Sequence, residues 1–225
     1  MSTAHVNVIG APVHLKQQRA PSPPAVELQR QVFPTATAPP PPTNHQVVYV
    51  DGACPNNGKA GAQAGYGGYY GDGDPRNFSR RLPPEEQQTN NRGEMRAVLH
   101  AIQQGFADAG APVDFDAPRV PDAREVRRPL RPLEILSDSR YTINGLTSFY
   151  RKWVQNGFKT TAGEPVRNRD LWELLLAHRD AYNAIYARQA KQEGESGSGI
   201  VLTHVKGHSN IRGNEMADKL AGPGK

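Results

Sequence analysis

The chain is predicted to be an α/β protein: a five-stranded mixed sheet, an antiparallel meander followed by parallel strands, flanked by helices. Three observations predict it. Short β-type runs joined by turn residues fill the stretch from 46 to 82. A helical period then sets in at Met95, Val98, Leu99, Ile102 and Phe106. Beyond it, strand-like and helix-like patterns alternate to residue 221.

Residues 1–44 carry Pro-Ser-Pro-Pro at 21–24 and Ala-Pro-Pro-Pro-Pro-Thr at 38–43, with few large apolar residues. They read as a disordered or polyproline-like tail, a spacer first and a ligand for an SH3- or WW-type protein partner second. A single domain over 45–225 follows. Gln46-Val47-Val48-Tyr49-Val50-Asp51-Gly52 is a buried strand expected to stop at its Asp-Gly turn. Taken alone, Asp51 is turn chemistry. A turn-rich loop over 52–58 leads to a second strand, Gly65-Tyr66-Gly67-Gly68-Tyr69-Tyr70, whose glycines allow close backbone approach. Residues 77–82 form a third strand.

Asn91, three residues before Glu94, matches a capping box, so Glu94 by itself reads as a helix cap. Residues 107–132 are rich in Pro, Asp and Arg, lack a period, and read as a surface insertion. Residues 133–138 are a fourth strand, and its closing Asp138 could equally cap the next helix. Tyr141, Phe149, Tyr150, Trp153 and Phe158 are interleaved with Arg140, Arg151, Lys152 and Lys159. Aromatics among cations suit a nucleic-acid backbone, with Phe158 and Tyr150 the more core-like of the set. A helix from about 170 to 189 buries Leu171, Leu174, Leu175, Tyr182 and Ile185. A flexible link over 191–199, a fifth strand over 200–205, a loop over 206–209 and a closing helix over 214–221 complete the domain.

Composition excludes several classes. The 225 residues suffice for one core plus appendages. One cysteine, Cys54, rules out an internal disulfide framework. No apolar run approaches the roughly 20 residues of a membrane span, and residues 1–26 lack a signal-peptide block. That segment is free of acid but poor in Arg, so the expected location is intracellular, nucleus or cytoplasm first and mitochondrion second. The net charge of +5 and pI near 9.4 suit a polyanionic partner.

Asp51 and Asp138 each close a strand, Glu94 opens a helix and Asp218 lies on the last one. If the first and fourth strands are neighbours, Asp51 and Asp138 meet at one rim, within reach of Glu94. Carboxylates held together repel unless cations sit between them. All-oxygen ligands favour Mg²⁺ or Mn²⁺ over zinc, and two such ions about 4 Å apart suit displacement at phosphorus.

Five motifs carry a resemblance: Tyr49-Val50-Asp51-Gly52, Gln88-Thr89-Asn90-Asn91-Arg92-Gly93-Glu94, Ser137-Asp138-Ser139, Val205-Lys206-Gly207-His208-Ser209, and Gly213-Asn214-Glu215-Met216-Ala217-Asp218. No one of them is specific, but together and in this order, over about 46–222, the chain resembles ribonuclease H type 1, the eukaryotic cellular form above all. The resemblance implies a ribonuclease H-like fold and cleavage of the RNA strand of RNA–DNA hybrids, leaving 5′-phosphate and 3′-hydroxyl ends. It implies two Mg²⁺ ions, with Mn²⁺ able to substitute, on Asp51, Glu94, Asp138 and Asp218, and a mobile His208 that helps proton transfer or product release. RNA-strand contacts fall on Cys54, Asn57, Asn90 and Asn91, the last a departure from a frequent Gln. DNA-strand contacts fall on Tyr141, Phe149 and Trp153, with Phe149 in place of a common Trp. Thr89 and Asn168 form a phosphate pocket, in which Gln87 stands where the family carries Arg.

A monomer is the default expectation, since no helical seam suggests otherwise. The amino-terminal hybrid-binding module of eukaryotic relatives is replaced by the tail, so processivity should be low. Three other readings compete: a non-cleaving hybrid-binding or structural domain in a larger assembly, a retroelement domain, and a non-nuclease metal-binding module, which would explain the acids but not the Asn and aromatic positions. The complete carboxylate set speaks against the first. Met1, with no polymerase remnant in the tail, speaks against the second.

Overall fold

The structure, a computed structural model, describes residues 45–194 and 196–222; the expected tail over 1–44 lies outside them. Five strands, β1 (Gln46–Ala53), β2 (Gly65–Tyr69), β3 (Phe78–Arg81), β4 (Leu133–Ser137) and β5 (Ile200–His204), form one sheet in the order β3-β2-β1-β4-β5. The β3-β2-β1 half is antiparallel, and β1-β4 and β4-β5 are parallel. The expected meander followed by parallel strands is therefore present. Among the described residues five α-helices accompany it: α1 (Asn90–Asp108), α2 (Arg140–Asn144), α3 (Tyr150–Gln155), α4 (Arg169–Gln192) and α5 (Arg212–Ala221). A π-helical turn, Gly145–Phe149, joins α2 to α3. No helix among the described residues is long and apolar enough to cross a membrane.

Val48 and Val50 of β1, Met95, Leu99, Ile102 and Phe106 of α1, and Trp172, Leu175 and Tyr182 of α4 are all buried, making one core. The helical period of α1 thus packs as its spacing predicts. Neighbouring residues of a strand face opposite sides of a sheet. A Cβ on Gly52 would meet α1 and one on Gly213 of α5 would meet the Tyr49 ring, so α1 and α5 cover opposite faces.

Two expectations are corrected. First, β1 does not stop at Asp51 but pairs on through Ala53, with Asp51 opposite Gly67 of β2. Second, α1 begins one residue before Asn91. Its N-cap is Thr89, whose hydroxyl accepts from the Arg92 N–H, so Glu94 lies past the first turn and caps nothing. Likewise Ser139, not Asp138, caps α2, its hydroxyl accepting from the Thr142 N–H.

The 107–132 stretch, expected as a surface insertion without a period, is anchored along its length. Its first two residues finish α1, Ala123–Glu125 form a 3-10 turn, and the rest is pinned at several points. Phe115 stacks on His100 at 4.1 Å, and His100 stacks on Phe78 of β3 at 3.8 Å. Burial pushes the His100 imidazole down to about 3, so it serves as a neutral ring between two phenyls. His178 of α4, fully buried, meets the Arg119 carbonyl at 3.1 Å, and the Tyr182 hydroxyl donates to the Arg131 carbonyl at 2.8 Å. Side chains of α1 and α4 thus hold a segment that has no ladder of its own.

Candidate active site

The site begins with a contact between two backbones. A Cβ on Gly52 would lie 2.0 Å from the Glu94 nitrogen, and one on Gly93 would lie 2.7 Å from the Gly65 carbonyl oxygen. Only residues without side chains let β1 and α1 touch here, and the touch delivers Glu94 to Asp51. Register brings the third acid. Gln46 faces Leu133 in the parallel pair, an offset of 87 residues, and the same offset sets Asp51 opposite Asp138 just beyond the ladder.

One oxygen from each of Asp51, Glu94 and Asp138 lies within 4.8 Å of the others. Asp51 and Glu94 are buried, and Asp138 is half-buried. Few groups satisfy them. The Gly52 N–H donates to Asp51 Oδ1 at 2.8 Å, the Asn90 amide to Glu94 Oε1 at 3.4 Å, and the Asn214 amide to Asp138 Oδ2 at 3.1 Å. Glu94 Oε2 is buried with no hydrogen-bond partner. Burial first, and then the Asp138 carboxylate, push Asp51 up to about 7. Burial, followed by Asp51 and Asp138, raises Glu94 well above the usual range. Like charges without cations carry a cost that a bound divalent ion removes. An orphaned buried oxygen among all-oxygen donors fits a hard divalent cation.

Asp218 is exposed on α5 and completes the rim of a cavity of about 390 Å³, which Asp51, Cys54, Asn90, Glu94, Asp138, His208 and Asn214 also line. Of the expected RNA-side residues, Cys54 is buried, its thiol donating to the Gln88 carbonyl at 3.3 Å and raised by burial. Asn57 adjoins the cavity through its side-chain oxygen, which accepts from the Asn90 N–H at 3.3 Å. Asn91 is exposed on the next position of α1. His208 sits in left-handed backbone with φ 50°, and neighbouring Gly207 lies so near Asp138 that a Cβ there would be 2.5 Å from Oδ2.

The expected DNA-side residues form a second group, outside that cavity. Trp153 leans on Phe149 at 5.8 Å and on Trp172 at 5.1 Å, and Tyr141 leans on Trp172 at 5.2 Å. Phe149 is half exposed, whereas Phe158 is buried and Tyr150 half-buried beneath the Arg179 guanidinium. Thr89 and Asn168 are linked through a residue that sequence reasoning passed over. Arg92, whose N–H meets Thr89, also extends its guanidinium to Asn168 Oδ1 at 3.5 Å. Asn214 was missed as well, although it stands one helical turn before Asp218, a spacing that shares a face.

A mixed sheet with acids gathered past the ends of its central parallel pair defines an α/β protein with an all-carboxylate cation centre. A family profile described as RNase H matches residues 43–225. The chain is 50% identical over 208 residues to a ribonuclease H of Crithidia fasciculata, covering 78% of this chain and 42% of that protein. It is 32% identical over 181 residues to a ribonuclease H of Jannaschia sp. (strain CCS1), covering 79% and 89%. A foamy viral protease–reverse transcriptase solved in complex with an RNA/DNA hybrid superposes with TM-score 0.50 at 18% identity, over 84% of this chain and 22% of that one, a likeness of fold alone. The chain belongs to the RNase H family, type 1. It spans about half the length of several of the relatives it matches.

Proposed function

We propose that this chain is a metal-dependent endonuclease that hydrolyses the RNA strand of RNA–DNA hybrids, leaving 5′-phosphate and 3′-hydroxyl ends. The observation that carries the reading is the convergence of one oxygen each of Asp51, Glu94 and Asp138 within 4.8 Å of one another, with Glu94 Oε2 left without a hydrogen-bond partner. Its family and its identity to proteins named ribonuclease H support the substrate.

Two Mg²⁺ ions held by Asp51, Glu94, Asp138 and Asp218, with Mn²⁺ able to substitute, would supply an activated attacking water and neutralise charge on the leaving oxygen. The protein's own groups do the rest. Asn214 fixes the Asp138 carboxylate, and the Gly52 N–H fixes Asp51. Asn57, Asn90 and Asn91, with the backbone at Cys54, offer hydrogen bonds to 2′-hydroxyls, the groups that distinguish RNA from DNA. Tyr141, Phe149 and Trp153 offer faces to the DNA strand, and Thr89 and Asn168 hydrogen-bond one of its phosphates. His208, exposed at the cavity mouth, takes or gives a proton as product leaves. The working unit is a monomer in an intracellular compartment, and the Pro-rich sequence over 1–44 would meet a protein partner.

The test is cleavage of short duplexes labelled on one strand. An RNA–DNA hybrid, an RNA duplex and a DNA duplex are incubated with Mg²⁺ or EDTA, beside an Asp138→Asn variant. Cutting of the hybrid alone, only with Mg²⁺, and at least about a thousandfold slower in the variant is expected, since a cation ligand is lost. Hybrid bound but left uncut with Mg²⁺ and with Mn²⁺ would make the chain a non-cleaving binder.

A further inference from the structure

We infer that Arg92 is a positioning residue that sets the side-chain amide of Asn168, so that one of its N–H groups is left to face an approaching phosphate; the inference rests on the hybrid-binding reading above. Arg92 lies in the first turn of α1, two residues before Glu94, and is buried. Its Nε and Nη2 donate to Glu86 Oε2 at 3.0 and 2.6 Å. Nη1 and Nη2 also donate to the two oxygens of Asp170 at 3.0 and 2.8 Å, and Nη1 reaches Asn168 Oδ1 at 3.5 Å. One planar fork therefore ties the catalytic helix to the start of α4 and leaves no freedom to rotate.

The chemistry then decides which way the Asn168 amide points. A guanidinium only donates, so the atom of Asn168 turned toward it must be the oxygen. The amide nitrogen is directed to the other side, where it donates to the Tyr141 hydroxyl at 3.2 Å. That hydroxyl spends its single proton on the Arg167 carbonyl at 3.3 Å, so it can only accept from Asn168. One of the two amide N–H groups remains for an anion. The backbone contributes: Asn168 has φ 58°, a left-handed conformation rare for residues other than Gly, Asn and Asp, and its side chain caps nothing on α4.

Arg92 itself is no anion site, because Glu86 and Asp170 already compensate its charge. Its role is to orient a neutral donor. This supplies the phosphate pocket with a fixed hydrogen-bond donor although Gln87 carries no charge there.

The test is a double-variant cycle on hybrid binding, read by fluorescence anisotropy of a labelled RNA–DNA hybrid in EDTA, beside kcat and KM with Mg²⁺. Arg92→Lys keeps the charge and loses the fork. It should raise Kd and KM about five- to tenfold, the loss of one charge-assisted arrangement, with kcat within twofold. Asn168→Ala should raise Kd by a similar factor, and Arg92→Lys on that background should add nothing. Full additivity of the two changes would overturn the inference, as would a kcat loss in Arg92→Lys that exceeds its KM change. Thermal melts of each variant exclude unfolding as the cause, and Arg124→Ala in the 107–132 segment, exposed and far along the chain, serves as a neutral control. Failure of the wild-type protein to bind the hybrid would instead count against the function proposed above.

Discussion

Asp51 is held where an uncompensated negative charge is costly, since burial and the facing Asp138 both oppose its ionisation. Its pKa rises from an ordinary carboxylate value to about 7 without metal. Between those two values the folded protein holds a proton that the unfolded chain has released, so metal-free stability falls as pH rises from about 4 to 7. Asp51→Asn removes the penalty. In EDTA at pH 8 the variant should melt several degrees higher than the wild type, a gain of up to about 4 kcal/mol. At pH 5 the gain should fall to less than half of that, and it should vanish below about pH 4. Equal gains at both pH values in calorimetry would show that the charge is not the cause. Asp51 and Asp138 were legible in the sequence because each borders a β-type run, and Glu94 and Asp218 because each ends a motif of the family resemblance. Asn214 and Arg92 were not legible as site residues, because each gains its role from a partner 76 residues away: Asp138 for the one, Asn168 for the other.

Helix α1 meets β1 through Gly52 and Gly93, and no side-chain rotation could relieve a larger residue there. Gly52→Ala would press a methyl group into the main chain of Gly93 and Glu94, so the two elements must part. The expected cost is about 3 kcal/mol or more, measured by urea unfolding, with weaker Mg²⁺ binding as Glu94 withdraws from Asp51. A variant as stable as the wild type would contradict the close packing. Periodicity identified α1 and α4 because their apolar spacing is long and regular. Boundaries were less legible: Thr89 and Asn91 are equally good caps on paper, and the choice falls on the residue whose hydroxyl reaches Arg92. The order of the 107–132 segment could not be read locally. Its anchors, Phe115 on His100 and the Arg119 carbonyl on His178, belong to tertiary contact.

Across the whole molecule, the four acids come from β1, α1, the loop after β4, and α5, and the first and last lie 167 positions apart. Divalent ions that bind only the folded chain should raise the melting temperature with concentration by mass action. The matched offset that sets Asp51 opposite Asp138 also has a consequence in time. The pair exists only after a crossover of 87 residues has closed and β1 and β4 have zipped in register. Loop closure of that length is paid late on the route to the native state, after local helices have formed. Mg²⁺ should accordingly slow unfolding in stopped-flow experiments while leaving the refolding rate nearly unchanged. An ion that instead accelerated refolding would mean that the acids gather before the sheet closes. If the acids gather last, cation capture is a clock hand: it marks the moment at which the chain has finished folding.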